Sequence, residues 1–342
     1  MGVVTITLEA VRDIADRALA AAGMNAANRD AVVEVVVDAE RDACHSHGLH
    51  RIPGYCSAMR SGRVNGQAEP KLHDLGPSLL RVDADRGFSA LAVKRVRPAL
   101  AEKARATGVA IATLQTANHF HALWHDLEPL AADGLIGMMF VNSRSTVVHP
   151  GGHERIYGTN PMAFAWPRPG RNPLVCDMAS AAVARGEIEI HRREGKPIPE
   201  GWAIDPDGNP TTDAAAGLAG AQLPFGGYKG ANIALMVELM AAAFGGNKLS
   251  LQVAEDDNGD GGPPDGGNLI MAFDPEAFAG SGQASATETA ERLFARILGD
   301  GDLRLPSDRR YAARARTPHE GVAIDEAFLT ELRGLHSQRK LP

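Results

Sequence analysis

The most constraining feature of this sequence is a change in its hydrophobic period near residue 70. Before that point apolar residues recur at helical spacing, as Leu8, Val11, Ile14 and Ala18 do. Beyond it, short β-type runs alternate with helical stretches. The change predicts a small helical unit followed by a larger α/β or α+β body.

With 342 residues, the chain is long enough for two domains. We expect a helical domain over residues 1–75, on which a C-terminal helix within 321–342 packs, and a sheet domain over 76–320. In the helical unit, Gly23 and Asn25 separate two helices, and a third short helix follows Pro53. The polar stretch 62–70 joins the two units.

In the larger body, predicted strands and helices alternate along the chain. Strands are expected at Leu79–Val82, Val109–Leu114, Ile136–Val141, Met162–Trp166, Leu174–Cys176 and Leu269–Phe273. Helices are expected near 88–107, 123–133, 180–194, 229–244 and 285–298, with a last amphipathic helix near 324–335. The acidic, glycine-rich segment 252–267 is predicted to be a surface loop.

Charge and cysteine content restrict the functional class. The formal charge of −7 disfavours non-specific binding to nucleic acid or to an anionic membrane, because both require a basic face. The three cysteines (Cys44, Cys56 and Cys176) form no CxxC pair, which is typical of a reducing compartment. Charged residues interrupt the N-terminal apolar stretch, so we expect a cytoplasmic protein without a signal peptide.

Several common cofactor and catalytic motifs are absent from the sequence. No strand is followed by GxGxxG, so a Rossmann dinucleotide site is unsupported. The P-loop, HExxH and GxSxG signatures are also missing. A nucleotide cofactor would therefore need a different binding architecture.

The densest group of reactive side chains spans residues 41–51. A metal site is disfavoured, because His45 and His47 would point to different faces of a helix. An acid/base site needs an imidazole, an orienting neighbour and a cation for an anionic substrate, and His47, Ser46 and Arg51 supply them. A polar helix end without chemistry remains the alternative.

Four further clusters are candidates for ligand binding. Residues 118–124 (NHFHALW) form a strand-to-helix turn, and the glycines of 150–153 and 158–161 allow close approach to a ligand. Lys229 at a helix start is unfavourable for the helix dipole unless an anion binds there too. The cations of 304–310 suit a ribose phosphate, although an ordinary solvated charge run is equally consistent with them.

These clusters, in their order along the chain, resemble those of the malate/L-lactate dehydrogenase family that lacks a Rossmann fold. The matching stretches are SHGLHRIPGY, NHFHALW, GGHERIYGTNPMAFAWP, CDMASAAVARG, GKPIPEGWAIDPDGNPTTD and LPFGGYKGANIALMVELM. The resemblance extends to about Val322. It implies a small helical domain beside a non-Rossmann, largely antiparallel sheet that binds NADPH, in a homodimer with the site near the subunit interface.

Two features are similar to the branch of Δ1-piperideine-2-carboxylate and Δ1-pyrroline-2-carboxylate reductases. One is the HFHALW turn. The other is an acid after Ala184-Arg185-Gly186, where the hydroxy-acid branch usually carries lysine. The acid is Glu187 rather than the aspartate expected of that branch, a difference of one methylene.

The resemblance implies a role for each cluster. His47 is the expected proton donor, in a relay with Ser46 and Glu187, and Arg51 is expected to bind the substrate carboxylate. The expected substrate pocket also contains Thr159, Arg185 and Gly186. The residues expected to bind NADPH are His119, Phe120, His121, Ala122, Leu123, Asp177, Met178, Ala179, Tyr228, Lys229, Arg304, Leu305, Pro306, Ser307, Asp308, Arg309 and Arg310.

The predicted reaction is the NADPH-dependent reduction of a cyclic α-imino acid to L-pipecolate or L-proline, with hydride delivered to C2. One alternative within the family is an NAD(P)-dependent dehydrogenase of malate, lactate, sulfolactate or ureidoglycolate. An alternative of another class is a non-catalytic small-molecule binding protein on the same scaffold. A metal-dependent hydrolase built on His45, His47 and His50 is a more distant alternative, and the prediction assigns no metal.

Overall fold

The computed structural model describes residues 2–279, 284–299, 301 and 303–337. Its helices are α1 (Leu8–Ala21), α2 (Ala26–Arg41), α3 (Ile52–Arg60), α4 (Ser89–Thr107), α5 (Trp124–Ala132), α6 (Arg185–Glu194), α7 (Ala214–Ala219), α8 (Tyr228–Val237), α9 (Ser250–Glu255), α10 (Ala286–Leu298), α11 (Asp308–Glu320) and α12 (Glu326–Gly334). A π-helix, Glu238–Phe244, continues α8, and 3-10 turns cover His45–His47, Leu49–Arg51 and Leu335–Ser337. Within the described ranges, no helix has the length and apolar character needed to cross a membrane.

The strands form three sheets. They are β1 (Val3–Ile6), β2 (Lys71–Gly76), β3 (Leu79–Asp83), β4 (Val109–Gln115), β5 (Ile136–Val141), β6 (Val147–Val148), β7 (Arg155–Tyr157), β8 (Met162–Trp166), β9 (Leu174–Met178), β10 (Ala203–Ile204), β11 (Pro210–Thr211), β12 (Ala221–Gln222), β13 (Asn268–Phe273) and β14 (Val322–Asp325). The main sheet has the order β2-β3-β4-β13-β5-β8-β9, a smaller one has β11-β10-β12-β6-β7, and β1 pairs with β14.

The helical N-terminal unit forms as local signals predict. Thr7 caps α1 by accepting a hydrogen bond from the Ala10 amide, and Asn25 caps α2 in the same way through Asn28. Between the two helices Gly23 has φ +93°, a left-handed conformation that favours glycine. The predicted pair of helices and the turn at Gly23 and Asn25 between them are confirmed.

The main sheet is largely antiparallel, as predicted. β13 lies between β4 and β5 and is antiparallel to both, and only the β3–β4 pair runs parallel within this sheet. Helices α4 and α5 pack on the sheet, and their apolar residues share one core with alternate residues of the strands. The fold class, an α/β (α+β) chain without a doubly wound Rossmann sheet, is confirmed.

The two ends of the described chain come together. β14 pairs with β1, and α12 packs on α1 in the apolar core of the N-terminal unit. The division into domains at residues 1–75 and 76–320 remains a proposal, and residues 338–342 of the expected C-terminal piece lie outside the described residues. β2, which starts at Lys71, already belongs to the main sheet.

Three expectations from the sequence need correction. The helix expected over 180–194 begins only at Arg185, because the backbone of 180–182 is hydrogen-bonded to the segment 223–225. The helix expected over 229–244 changes to π geometry at Glu238. The loop expected over 252–267 begins inside α9.

The cationic run 304–310 also differs from expectation. Its last residues open α11, a helix that the sequence analysis did not predict. Ser307 precedes this helix with φ +77°, and its hydroxyl donates to the Val175 carbonyl oxygen instead of capping α11. The run is therefore a helix start anchored on β9 rather than a freely solvated charge run.

Candidate active site

The segment that carries the predicted catalytic residues leaves α2 through Ala43, whose φ is +57°. Two 3-10 turns follow, His45–His47 and Leu49–Arg51, with Gly48 between them. The Ser46 hydroxyl oxygen lies 3.0 Å from Nδ1 of His47, so the predicted Ser46–His47 pair is formed. We call residues 45–51 the histidine loop.

His47 is neutral in the ligand-free chain. Burial lowers its pKa to about 3, and the charges of Arg51, His121 and His50 act in the same direction. An imidazole in this state carries a single ring proton. It becomes a strong proton donor only if a ligand adds negative charge nearby.

Arg51 is a cation without a counter-ion. Its guanidinium lies over the Phe120 ring, 3.8 Å from the centroid, and its buried Nε has no hydrogen-bond partner. Burial lowers its pKa to about 10, and no carboxylate in the described part of the chain forms an ion pair with it. An unpaired, partly desolvated guanidinium next to His47 is suited to binding a carboxylate in two-pronged fashion.

A stacked pair of imidazoles, His119 and His121, lies beside this loop, with ring centroids 4.1 Å apart. His119 donates from Nε2 to the His121 carbonyl and accepts from the Ser89 hydroxyl, 2.9 Å away, at Nδ1. His121 contacts Asp126 through Nε2 at 2.9 Å. These three groups have ligand atoms within 4.8 Å of one another, as in a metal site, but hydrogen bonds already engage both nitrogens of His119.

The segments predicted to bind the cofactor meet around the end of β9. The Trp124 amide, next to buried Ala122 and Leu123, donates to Oδ2 of Asp177 at 3.0 Å. Burial raises the pKa of Asp177 to about 6, against the opposing effect of the Trp124 and Leu123 amides. Beyond Asp177, Met178 is 43 % exposed and Ala179 is half-buried.

The segment 304–310 lies against the same strand. The Val175 amide donates to the Ser307 hydroxyl at 3.2 Å, and the Arg310 guanidinium lies 4.1 Å from the Trp124 ring centroid. Leu305 is buried, and its amide donates to Asp308 at 2.7 Å.

The cations of this segment are not equivalent. Arg310 is buried and pairs with Asp42 at 3.0 Å and with Glu128. Arg304 and Arg309, on either side of exposed Pro306, are exposed and form no ion pair with any described residue. Only these two arginines of the run therefore keep a charge available to an anionic ligand.

Tyr228 and Lys229 begin α8 and are both exposed. The turn before them needs φ of +56° at Gly226 and +63° at Gly227. No acidic side chain of the described residues pairs with Lys229. The helix start thus offers a lysine to an anion, while the Lys229, Gly230 and Ala231 amides already donate to backbone carbonyls.

Thr159 is joined to this turn through Ser180. The Ser180 amide and hydroxyl both donate to the Thr159 carbonyl, at 2.8 and 2.9 Å, and the Phe225 amide donates to the Ser180 carbonyl at 3.0 Å. Ser180 was not singled out in the sequence, because a serine in a loop gives no local signal of such a bridge.

Glu187 is not joined to the histidine loop within the described chain. Its side chain is 48 % exposed, its Oε1 lies 3.9 Å from Nδ1 of His191, and it forms no hydrogen bond to Ser46 or His47. Gly186 has open space where a Cβ would be. Arg185 donates to the Leu218 carbonyl at 2.9 Å and leaves Nη1 buried without a partner. The relay role of Glu187 and the pocket roles of Arg185 and Gly186 remain predictions.

Two carboxylates support the site, and the sequence analysis assigned a role to neither of them. Glu40 is buried at the end of α2 and is bonded to the histidine loop, and Asp42 holds Arg310 and Arg314. No signal in the sequence sets Glu40 apart, because Asp30, Glu34 and Asp38 lie in the same helix.

Two curated relatives show what this chain is similar to in sequence. It is 47% identical to Δ1-pyrroline-2-carboxylate reductase of Pseudomonas fluorescens over 97% of this chain and 98% of that protein. It is 45% identical to the Δ1-pyrroline-2-carboxylate/Δ1-piperideine-2-carboxylate reductase of Pseudomonas aeruginosa, over 97% and 99% of the two chains.

Solved structures lead to the same family. Δ1-piperideine-2-carboxylate reductase from Pseudomonas syringae matches with a TM-score of 0.91 at 40% identity, over 97% of this chain and 99% of that one. Sulfolactate dehydrogenase from Methanocaldococcus jannaschii matches with a TM-score of 0.86 at 28% identity, over 98% of each chain. The sequence profile described as malate/L-lactate dehydrogenase covers residues 6–333, and the chain belongs to that family.

Proposed function

We propose that this chain reduces Δ1-pyrroline-2-carboxylate and Δ1-piperideine-2-carboxylate to L-proline and L-pipecolate, with NADPH as the hydride donor. The observation that carries the proposal is the unpaired, partly desolvated guanidinium of Arg51 beside the Ser46–His47 pair. A cyclic imino acid has a carboxylate next to its electrophilic carbon, so Arg51 and His47 can engage adjacent atoms of one small substrate. The names of the two Pseudomonas relatives support the same substrate class.

The family implies a nicotinamide cofactor, and the residues present fit one. Lys229 at the start of α8 and the unpaired Arg304 and Arg309 offer positive charge for a pyrophosphate and a ribose phosphate. When bound, the cofactor supplies the hydride. The preference for NADPH over NADH rests on Arg304 and Arg309, since a 2′-phosphate adds charge that these two can neutralise.

Arg51 fixes the substrate carboxylate, and this step also prepares the proton. The positive charge of Arg51 is one cause of the low pKa of His47, so a carboxylate bound to Arg51 raises that pKa. Once protonated, His47 donates from Nδ1 to the Ser46 hydroxyl oxygen, and its Nε2 holds the proton that passes to the imine nitrogen, which returns the imidazole to its neutral form. Substrate binding and proton delivery are therefore coupled through one guanidinium.

The proposal includes a role for Glu187 and for a second subunit. A carboxylate at Glu187 would stabilise an imidazolium at His47 if the first turn of α6 moved to the histidine loop. α8 and its π-helical continuation expose apolar side chains on one face, namely Leu235, Met236, Leu239 and Phe244. Such a face is typical of an interface, which supports the proposed homodimer. We also propose that the protein is cytoplasmic.

A substrate panel tests the proposal. Purified protein with NADPH should oxidise the cofactor rapidly on addition of either cyclic imine, and the same assay with NADH should give a lower kcat/KM. Pyruvate and oxaloacetate serve as hydroxy-acid controls. Faster turnover of either keto acid would overturn the assignment. Size-exclusion chromatography with light scattering gives the mass of the assembly and so tests the homodimer.

A further inference from the structure

Glu40 is a buried carboxylate with an unusual pair of partners. Only 4 % of the residue is exposed, at the end of α2. Oε1 accepts a hydrogen bond from the Leu49 amide at 2.8 Å, and Oε2 accepts one from Nδ1 of His45. The hydrogen bond to Glu40 raises the pKa of His45, which favours the protonated imidazole beside the carboxylate.

These two contacts bracket Ser46 and His47. His45 precedes the pair, and Leu49 follows it after Gly48. The turns in between hold few bonds of their own: the His47 amide donates to Cys44, the Gly48 amide to His45 and the Arg51 amide to Gly48. Three-residue 3-10 turns are weakly stable alone, so the shape of the histidine loop depends on anchors outside it.

The packing between Glu40 and the loop leaves no spare space. A Cβ at position 48 would overlap Oε1 and Cδ of Glu40, although the φ of Gly48 is an ordinary −94°. The Glu40 carboxylate therefore occupies the space that a side chain at position 48 would need. Loop and carboxylate have complementary shapes.

We propose that Glu40 is a positioning residue, which sets the place of His47 and Arg51 by holding His45 and the Leu49 amide at once. Glu40 itself touches no reacting atom, and the proposal rests on the catalytic role proposed for His47. The reach of the side chain matters more than its charge, because both oxygens must meet partners four residues apart in the loop.

Two conservative variants separate reach from charge. Glu40→Asp keeps the carboxylate but is one methylene short, and we expect kcat to fall about 100-fold, since a displacement of about 1 Å has that cost. Glu40→Gln keeps the length and an acceptor for the Leu49 amide, and we expect kcat to stay within about fivefold of wild type. In both variants KM for NADPH should change less than twofold.

Matched controls come from the same helix. Glu34 lies before Glu40 in α2, its side chain is 45 % exposed, and it pairs with Lys94. Glu34→Asp and Glu34→Gln should leave kcat within about twofold of wild type. Near-UV circular dichroism and melting temperatures of all four variants establish that each is folded.

The outcomes distinguish the two proposals. The positioning role is wrong if Glu40→Asp is folded and has wild-type kcat. It is also wrong if Glu40→Gln loses as much kcat as Glu40→Asp does. A Glu40→Asp variant that loses imine turnover and NADPH binding to the same extent would overturn it too. His47→Ala is the reference: if it retains full kcat, the catalytic role of the histidine loop is wrong instead. If Glu40→Asp does not fold, Gly48→Ala decides, since it presses on the same carboxylate and should lower kcat at least tenfold.

Discussion

The unpaired guanidinium of Arg51 should make the ligand-free protein less stable than it could be. A fall of its pKa from 12.5 to about 10 means that burying the charged guanidinium costs roughly 3 kcal/mol, because a shift of one pKa unit corresponds to about 1.4 kcal/mol. Arg51→Met removes the charge with an unbranched side chain and gives up a cation–π contact of about 0.5–1 kcal/mol with Phe120. We expect a net gain of about 2 kcal/mol and a melting temperature several degrees higher.

The same substitution should remove substrate binding. Each charge-assisted hydrogen bond to the carboxylate contributes about 1.5–3 kcal/mol, so losing two raises KM for the imine by at least about 100-fold. Differential scanning fluorimetry without ligand measures the first effect, and steady-state kinetics at saturating NADPH measures the second.

Arg168→Met is the matched control. Arg168 has a buried side chain but pairs with Glu291, so its loss leaves that carboxylate without its cation and should lower the melting temperature. The reasoning fails if Arg51→Met melts below wild type as Arg168→Met does, or if it binds the imine normally.

Three further predictions concern the proton, the cofactor and pH. His47→Ala should lower kcat about 10²–10⁴-fold while the fluorescence titration with NADPH is unchanged, and a near-normal kcat would remove His47 from its role. Arg309→Ala should raise KM for NADPH about tenfold and leave KM for NADH unchanged, whereas Arg316→Ala, exposed on the same helix, should alter neither. Burial lowers the pKa of His125, but Asp126 and Asp38 outweigh it and raise the pKa to about 9, so its stabilising charge is complete below pH 6.5 and lost as pH rises through 9. Thermal scans from pH 6 to 10 should show this loss in wild type and a flatter profile in His125→Gln.

Much of the fold could be predicted because its signals are local. Ile136–Val141 and Met162–Trp166 were predicted with the bounds that the structure has, since each is a short continuous apolar run that is visible within a few positions. The two-residue strands β6, β10, β11 and β12 were missed, because two residues are too few to show a period. α11 was missed because its first turn is a run of charge.

The candidate site was predictable in part for a similar reason. Ser46, His47 and Arg51 lie within six positions, so their proximity follows from the chain itself. Glu187 is distant in sequence, and the described chain leaves it away from the histidine loop. Glu40 was missed, because nothing local indicates that its carboxylate bonds to residues five and nine positions later.

The sequence by itself determined most of the longer helices, most strands of the main sheet, the absence of a Rossmann turn and the loop that carries the candidate catalytic residues. Only the tertiary structure decided which charges are neutralised. Arg310 meets Asp42 across 268 positions and is paired, while Arg51 meets an aromatic ring and is not. The physical reason is that capping and periodicity depend on neighbours in the chain, whereas the free energy of a buried charge depends on whatever the fold brings within a few ångströms of it.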